Sequence, residues 1–241
     1  MKKPSIRTGI IATTVACTTL IGLSATPAFA DTSSPRPGRT LTQIQADGAA
    51  KTAQRVASLT TGIRAITADT HLSSGDKSTI LSTLNSDLDS MKSVQSKIAA
   101  DTTKSEASAD YKTIFTTYRV YAVALPQSRY AAATANLDSV AIPRLTDVHG
   151  RLAARLAGKD ASKSTPALQA DLTDMSSQIT SASTSLSGLA AAVFAVTPAQ
   201  YNSNHDILKA LKQKLTAARA ALKQARQDAK AVVAALHTGK H

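Results

Sequence analysis

The chain has 241 residues, a formal net charge of +12, 43% hydrophobic but only 3% aromatic residues, one cysteine and no tryptophan. With the lone Cys17 inside an N-terminal apolar run, the remainder can form no disulfide, carry no thiolate nucleophile and attach no haem through cysteine. Fifteen aspartates against the single Glu106 exclude a ferritin-like di-iron centre, which needs several glutamates and Glu-x-x-His pairs.

Lys2, Lys3 and Arg7 precede an apolar run from Gly9 to Leu23, and Ala28-Phe29-Ala30 supplies a small-x-small junction. This pattern predicts a cleaved export signal over residues 1–30 and a mature chain beginning at Asp31, secreted or held in the cell envelope. The run is about 15 residues, short of the roughly 20 that span a bilayer, so a retained anchor is not expected. The competing reading is a lipidated Cys17 after Thr14-Val15-Ala16, which would leave a very short apolar stretch before it. No Arg-Arg pair precedes the run, which favours the general secretory route. Removing residues 1–30 takes away three basic residues and no acid, so +9 remains over 211 residues. Of that, residues 205–241 hold eight Lys or Arg and two Asp, a net +6.

Residues 31–39 carry two prolines and no apolar period, and are predicted to be a flexible leader to a helical domain over 40–241. A first helix is predicted from Leu41 to about Asp69, with Val56, Leu59, Ile63 and Ile66 on one stripe. After the turn signal Ser73-Ser74-Gly75 a second stripe follows at Ile80, Leu84, Leu88, Met91, Val94 and Ile98, so the two should form an antiparallel hairpin. A third segment places Tyr111, Phe115, Tyr118, Ala122 and Leu125 on one face until Pro126 kinks or ends it. Tyr130, Leu137, Val140, Leu145, Val148, Leu152 and Leu156 continue the pattern, bent at Pro143, up to a loop over 158–165.

Thr165-Pro166 signals a new helix start, and Leu168, Leu172, Met175, Ile179, Ala182, Leu186, Leu189, Val193 and Val196 then alternate in steps of 4 and 3 without interruption. Thr197-Pro198 repeats the start signal for a last helix running from Tyr201 through Leu208, Leu211, Leu215 and Leu222 to Leu236. The fold expected is all-α: an elongated antiparallel bundle of five or six segments with coiled-coil-like heptad packing. A monomer and a dimer pairing the heptad helices both fit these patterns.

The Ala28-Phe29-Ala30 junction, the abundance of Ala, Thr and Ser, and Tyr118-Arg119-Val120-Tyr121 ahead of Pro126 give the chain a general resemblance to uncharacterised secreted helical proteins of Gram-positive actinobacteria. That resemblance implies export and helices, and no activity.

Motifs for catalysis or metal binding fail on spacing. His237 and His241 are four apart but interrupted by Gly239, and Asp147 and His149 are too close in sequence to share a helix face. Gly158-Lys159 lacks the rest of a phosphate loop, and Asp87 with Asp89 lacks the glycine and terminal glutamate of an EF-hand. No cofactor and no enzymatic activity are expected.

Two features point to binding. Lys212, Arg219, Lys223, Arg226 and Lys230 recur within one sector of the last helix, a row of roughly 30 Å suited to a linear polyanion. Anionic cell-wall polymers or lipid headgroups are the candidate partners. Nucleic acid is disfavoured by the compartment and by the lack of interleaved aromatics. The plainer alternative is that the row meets a protein partner or aspartates of a neighbouring helix, such as Asp171 and Asp174. The second feature is an aromatic cluster near Pro126, in which Tyr118, Arg119, Tyr121, Arg129 and Tyr130 could line a small-ligand pocket. Its plainer alternative is a local core.

Overall fold

The computed structural model describes residues 38–238; the expected signal peptide and residues 31–37 of the expected leader lie outside them. Among the described residues there are helices and no strands. In chain order they are α1 (Leu41–Ala68), α2 (Ser74–Ala100), α3 (Lys104–Thr116), a π-helical turn (Val120–Ala124), α4 (Leu125–Asn136), a second π turn (Leu137–Ala141) and α5 (Ile142–Ala157). A 3-10 turn (Ala161–Lys163) then precedes α6 (Pro166–Leu186), α7 (Leu189–Phe194), α8 (Pro198–Ser203) and α9 (Ile207–Thr238).

The starts are written by hydroxyl caps. Thr40 with Gln43, Thr103 with Glu106 and Thr197 with Gln200 form reciprocal capping boxes, and Ser73 and Thr165 accept from the backbone N–H three residues on. The sole glutamate is therefore occupied at a helix start. Arg39, the last residue of the expected leader, is tied down by an ion pair to Asp47 at 2.7 Å and lies over the Tyr111 ring.

α1 and α2 pack antiparallel, as expected. A Cβ on Gly48 would fall 2.8 Å from Ile98 Cγ2, one on Gly62 would fall 3.7 Å from Leu84, and Gln45 donates to the carbonyl of Asp101. Their shared core holds Ile44, Leu59, Ile66, Ile80, Leu84, Met91 and Ile98, and is closed by Tyr111, Ile114 and Phe115 of α3. A second core joins α5, α6, α7 and α9, with Leu156, Met175, Leu189, Leu215 and Leu222 at its centre. α4 serves both, giving Leu125 and Ala131 to the first and Tyr130 and Ala133 to the second.

Three expectations about continuity need correction. The third segment does not run through to Leu125: it stops at Thr116, and Arg119 takes the left-handed conformation (φ 46°) before the chain turns helical again. The stripe from Leu168 to Val196 keeps its phase and stays buried, yet the helix breaks at Ser187 and Gly188, with Gly188 at φ 65°. Glycine adopts that conformation without a Cβ clash, and the residue just past a helix end is where it usually does so. The last apolar stripe is also divided: Tyr201 lies on α8, and the Asn204 side chain accepts from the Asp206 N–H in the turn before α9.

Pro126 does not end a helix, and neither does Pro143. Each follows a π turn, over Val120–Ala124 and Leu137–Ala141, in which the Leu125 and Ile142 N–H groups reach back five residues to the carbonyls of Val120 and Leu137. A proline ring collides with the carbonyl four residues earlier and leaves it without a donor. The wider turn accommodates both problems. The two passages share a short repeat, Val123-Ala124-Leu125-Pro126 and Val140-Ala141-Ile142-Pro143.

Candidate polyanion-binding face

α9 is rich in Ala, Leu, Lys, Arg and Gln, all strong helix formers. Its apolar stripe, Leu208, Leu215, Ala218, Leu222, Ala225, Val232 and Leu236, is buried. Most of it enters the core shared with α6, while Leu208 packs with Val123 and Val196. At about 100° per residue, Lys212, Arg219, Lys223, Arg226 and Lys230 occupy a sector of about 60° beside that stripe. All five are exposed.

None of the five forms an ion pair among the described residues, whereas Lys209 beside them pairs with Asp206 at 3.5 Å. Asp171 is half-buried and Asp174 exposed on α6, and neither pairs with the row. Asp228, the one acid within α9, turns inward instead. It is 8% exposed, accepts from Gln224 Nε2 at 2.8 Å through Oδ1, and its Oδ2 has no hydrogen-bond partner. The positive charge of the row is thus left facing solvent.

The two candidate features approach each other at Tyr130. Its ring packs against both the α6–α9 core and the small cluster around Val123, Val196 and Leu208. Burial pushes its phenol above the ordinary value, opposed by the charges of Arg129 and Arg219. Arg129 is exposed on α4.

The other members of the aromatic cluster have separate partners. Tyr118 packs half-buried on the α1–α3 core. Arg119 donates from Nε to Asn202 Oδ1 at 2.7 Å and lies over the Tyr201 ring, while Asn202 donates to the carbonyl of Thr116. Tyr121, 40% exposed, places its hydroxyl 3.1 Å from Ser58 Oγ. Its ring covers the Arg55 guanidinium, which lies 4.8 Å from the Tyr121 centroid and 4.7 Å from that of Phe115. These contacts knit α1, α3 and α8 together.

Asp147 pairs with Arg151 at 2.6 Å, and His237 Nδ1 lies 2.7 Å from the carbonyl of Val233; His241 lies outside the described residues. Asp89 sits beside Lys92, and burial pushes the Asp87 carboxyl up to about 6. Among the described residues no three His, Cys, Asp or Glu side chains group as metal ligands would.

Arg55 and Gln127 are buried polar side chains that the sequence patterns do not single out. Arg55 occupies a stripe position between Thr52 and Leu59, and a charge on an apolar stripe is the signal that could have marked it. Gln127 donates from Nε2 to the carbonyls of Val193 at 2.8 Å and Val196 at 2.5 Å, capping the end of α7 from α4. Nothing local in the sequence announces that role.

No protein-family model matches the chain, and neither a curated protein nor a solved structure is detectably similar to it.

Proposed function

We propose that this is a non-enzymatic, exported helical protein of the cell envelope that holds anionic surface material on the basic face of α9. The observation that carries the reading is the row of Lys212, Arg219, Lys223, Arg226 and Lys230, exposed and without ion-pair partners among the described residues. Opposite charges separated by more than about 8–10 Å are largely screened at physiological salt, so such a row is useful to a ligand that comes into contact with it. An elongated antiparallel bundle with heptad-like packing between α6 and α9 would keep the row straight. The alternative of a small-ligand pocket at Tyr118, Arg119, Tyr121, Arg129 and Tyr130 is less favoured, because a ligand would have to displace Asn202, Ser58 and core contacts already made.

Retention on purified cell wall tests the reading. The mature chain from Asp31, its start checked by intact mass, should be retained at low salt. The variant Arg219→Gln/Lys223→Gln/Arg226→Gln/Lys230→Gln should wash off, with helicity unchanged by circular dichroism because Gln is nearly as good a helix former. Each basic residue at an anionic surface contributes about 1 kcal/mol, so the four together weaken binding by several kcal/mol. Equal retention of both proteins would refute the proposal.

A further inference from the structure

We infer that the ligand of the α9 face is a single extended phosphodiester polymer lying along the helix axis, rather than a membrane surface. This inference rests on the reading just proposed. The cations form a line and not a sheet. At about 1.5 Å per residue, Arg219, Lys223, Arg226 and Lys230 are spaced by about 6, 4.5 and 6 Å along the axis, with Lys212 about 10 Å further toward the start of α9. Three backbone bonds of an extended chain cover about 3.5 Å, so a phosphodiester with a six-bond repeat presents one anion about every 7 Å. Flexible Lys and Arg stems absorb the difference, and each cation meets a successive phosphate.

The surroundings of the row argue against a bilayer. A helix that lies in a membrane interface buries exposed Trp, Phe or Leu side chains among the acyl chains. Here the apolar side of α9 is already packed in the protein core, and the solvent side next to the cations carries Thr216, Ala220, Gln227 and Ala234. The exposed large apolar side chains among the described residues are Tyr121, which is on another element, and Val233 at 37%. No aromatic ring interleaves with the row to stack on a base, so a single-stranded nucleic acid would find charge but no platform.

The test is binding of oligo(glycerol phosphate) carrying one, two, four or eight phosphates, by fluorescence anisotropy. It is compared with vesicles containing 30 mol% phosphatidylglycerol at equal phosphate concentration. Affinity should climb with phosphate number up to four, and the eight-phosphate oligomer should gain at most the one further contact that Lys212 offers. Four contacts on a flexible polyanion give a log–log salt slope of about −3, so binding of the tetramer should fall about fifty-fold between 50 and 200 mM salt. Lys223→Gln should lower the slope by about one contact. Lys214→Gln, about 150° round the helix from the row, should change nothing. Affinity independent of phosphate number, or vesicles bound as tightly as the eight-phosphate oligomer, would overturn the inference. If no oligomer bound while the quadruple variant still lost retention on cell wall, the phosphodiester assignment would fall and the proposed function would stand. If both failed, both would be wrong.

Discussion

At Arg119 the backbone holds φ at 46°, a conformation that crowds the Cβ of every residue except glycine. The side chain compensates by its hydrogen bond to Asn202 and its place over Tyr201, which anchor α8 to the end of α3. Arg119→Ala and Arg119→Gly lose the same contacts and differ only in backbone freedom. The glycine variant is expected to be more stable than the alanine variant by about 1 kcal/mol, read as a higher Tm. An alanine variant at least as stable as the glycine variant would show that the left-handed turn is not adopted. Asp87 is expected to act through charge. Burial raises its carboxyl to about 6 in the folded chain, above the ordinary 3.8, so the folded state binds a proton more readily between those values. Its contribution to stability is present below pH 4 and is lost as the pH rises through about 6. Asp87→Asn should therefore gain about 1–2 kcal/mol relative to wild type on going from pH 4 to pH 7. A difference in Tm that does not change with pH would rule this out.

Elements were legible in the sequence wherever a period ran long enough to dominate. The α1 and α2 stripes and the buried series from Leu168 to Leu236 follow from 3.6-residue spacing, because burial of an apolar face decides where a helix lies. Interruptions were not legible from that spacing. Gly188 breaks α6 from α7 without shifting the phase of the stripe, so Leu186, Leu189, Val193 and Val196 look continuous. From spacing alone Pro126 can either kink or end its helix, because the widened turns ahead of Pro126 and Pro143 leave no mark on hydrophobic spacing; the Val-Ala-Leu-Pro and Val-Ala-Ile-Pro repeat is the sign they do leave. The basic row itself was legible, since exposure follows from its position beside the apolar stripe. Its lack of answering aspartates was not, because that depends on how α6 is rotated against α9. Close packing at the element scale has its own test. Gly48→Ala would drive a Cβ to within 2.8 Å of Ile98 Cγ2, and Ile98 is 1% exposed with little room to move. Overpacking there should destabilise the chain by about 1–3 kcal/mol in chemical denaturation, and an unchanged midpoint would mean α1 and α2 are not in that register.

For the whole molecule, charge and packing separate by region. In the α1–α3 half, Lys97 pairs with the largely buried Asp110 at 2.9 Å and Arg39 with Asp47. The end of the chain keeps a net +6 over residues 205–241; of its two aspartates, Asp206 pairs with Lys209 and Asp228 is turned into the core. Self-repulsion along such a row opposes folding slightly and favours association with anions, and both effects weaken as salt rises. The most direct measurement of the central claim is the salt dependence of retention on purified cell wall, for wild type and for the Arg219, Lys223, Arg226 and Lys230 quadruple Gln variant together. Wild type should elute progressively between 50 and 200 mM salt while the variant is barely retained at any salt; salt-independent retention, the same for both proteins, would contradict the account.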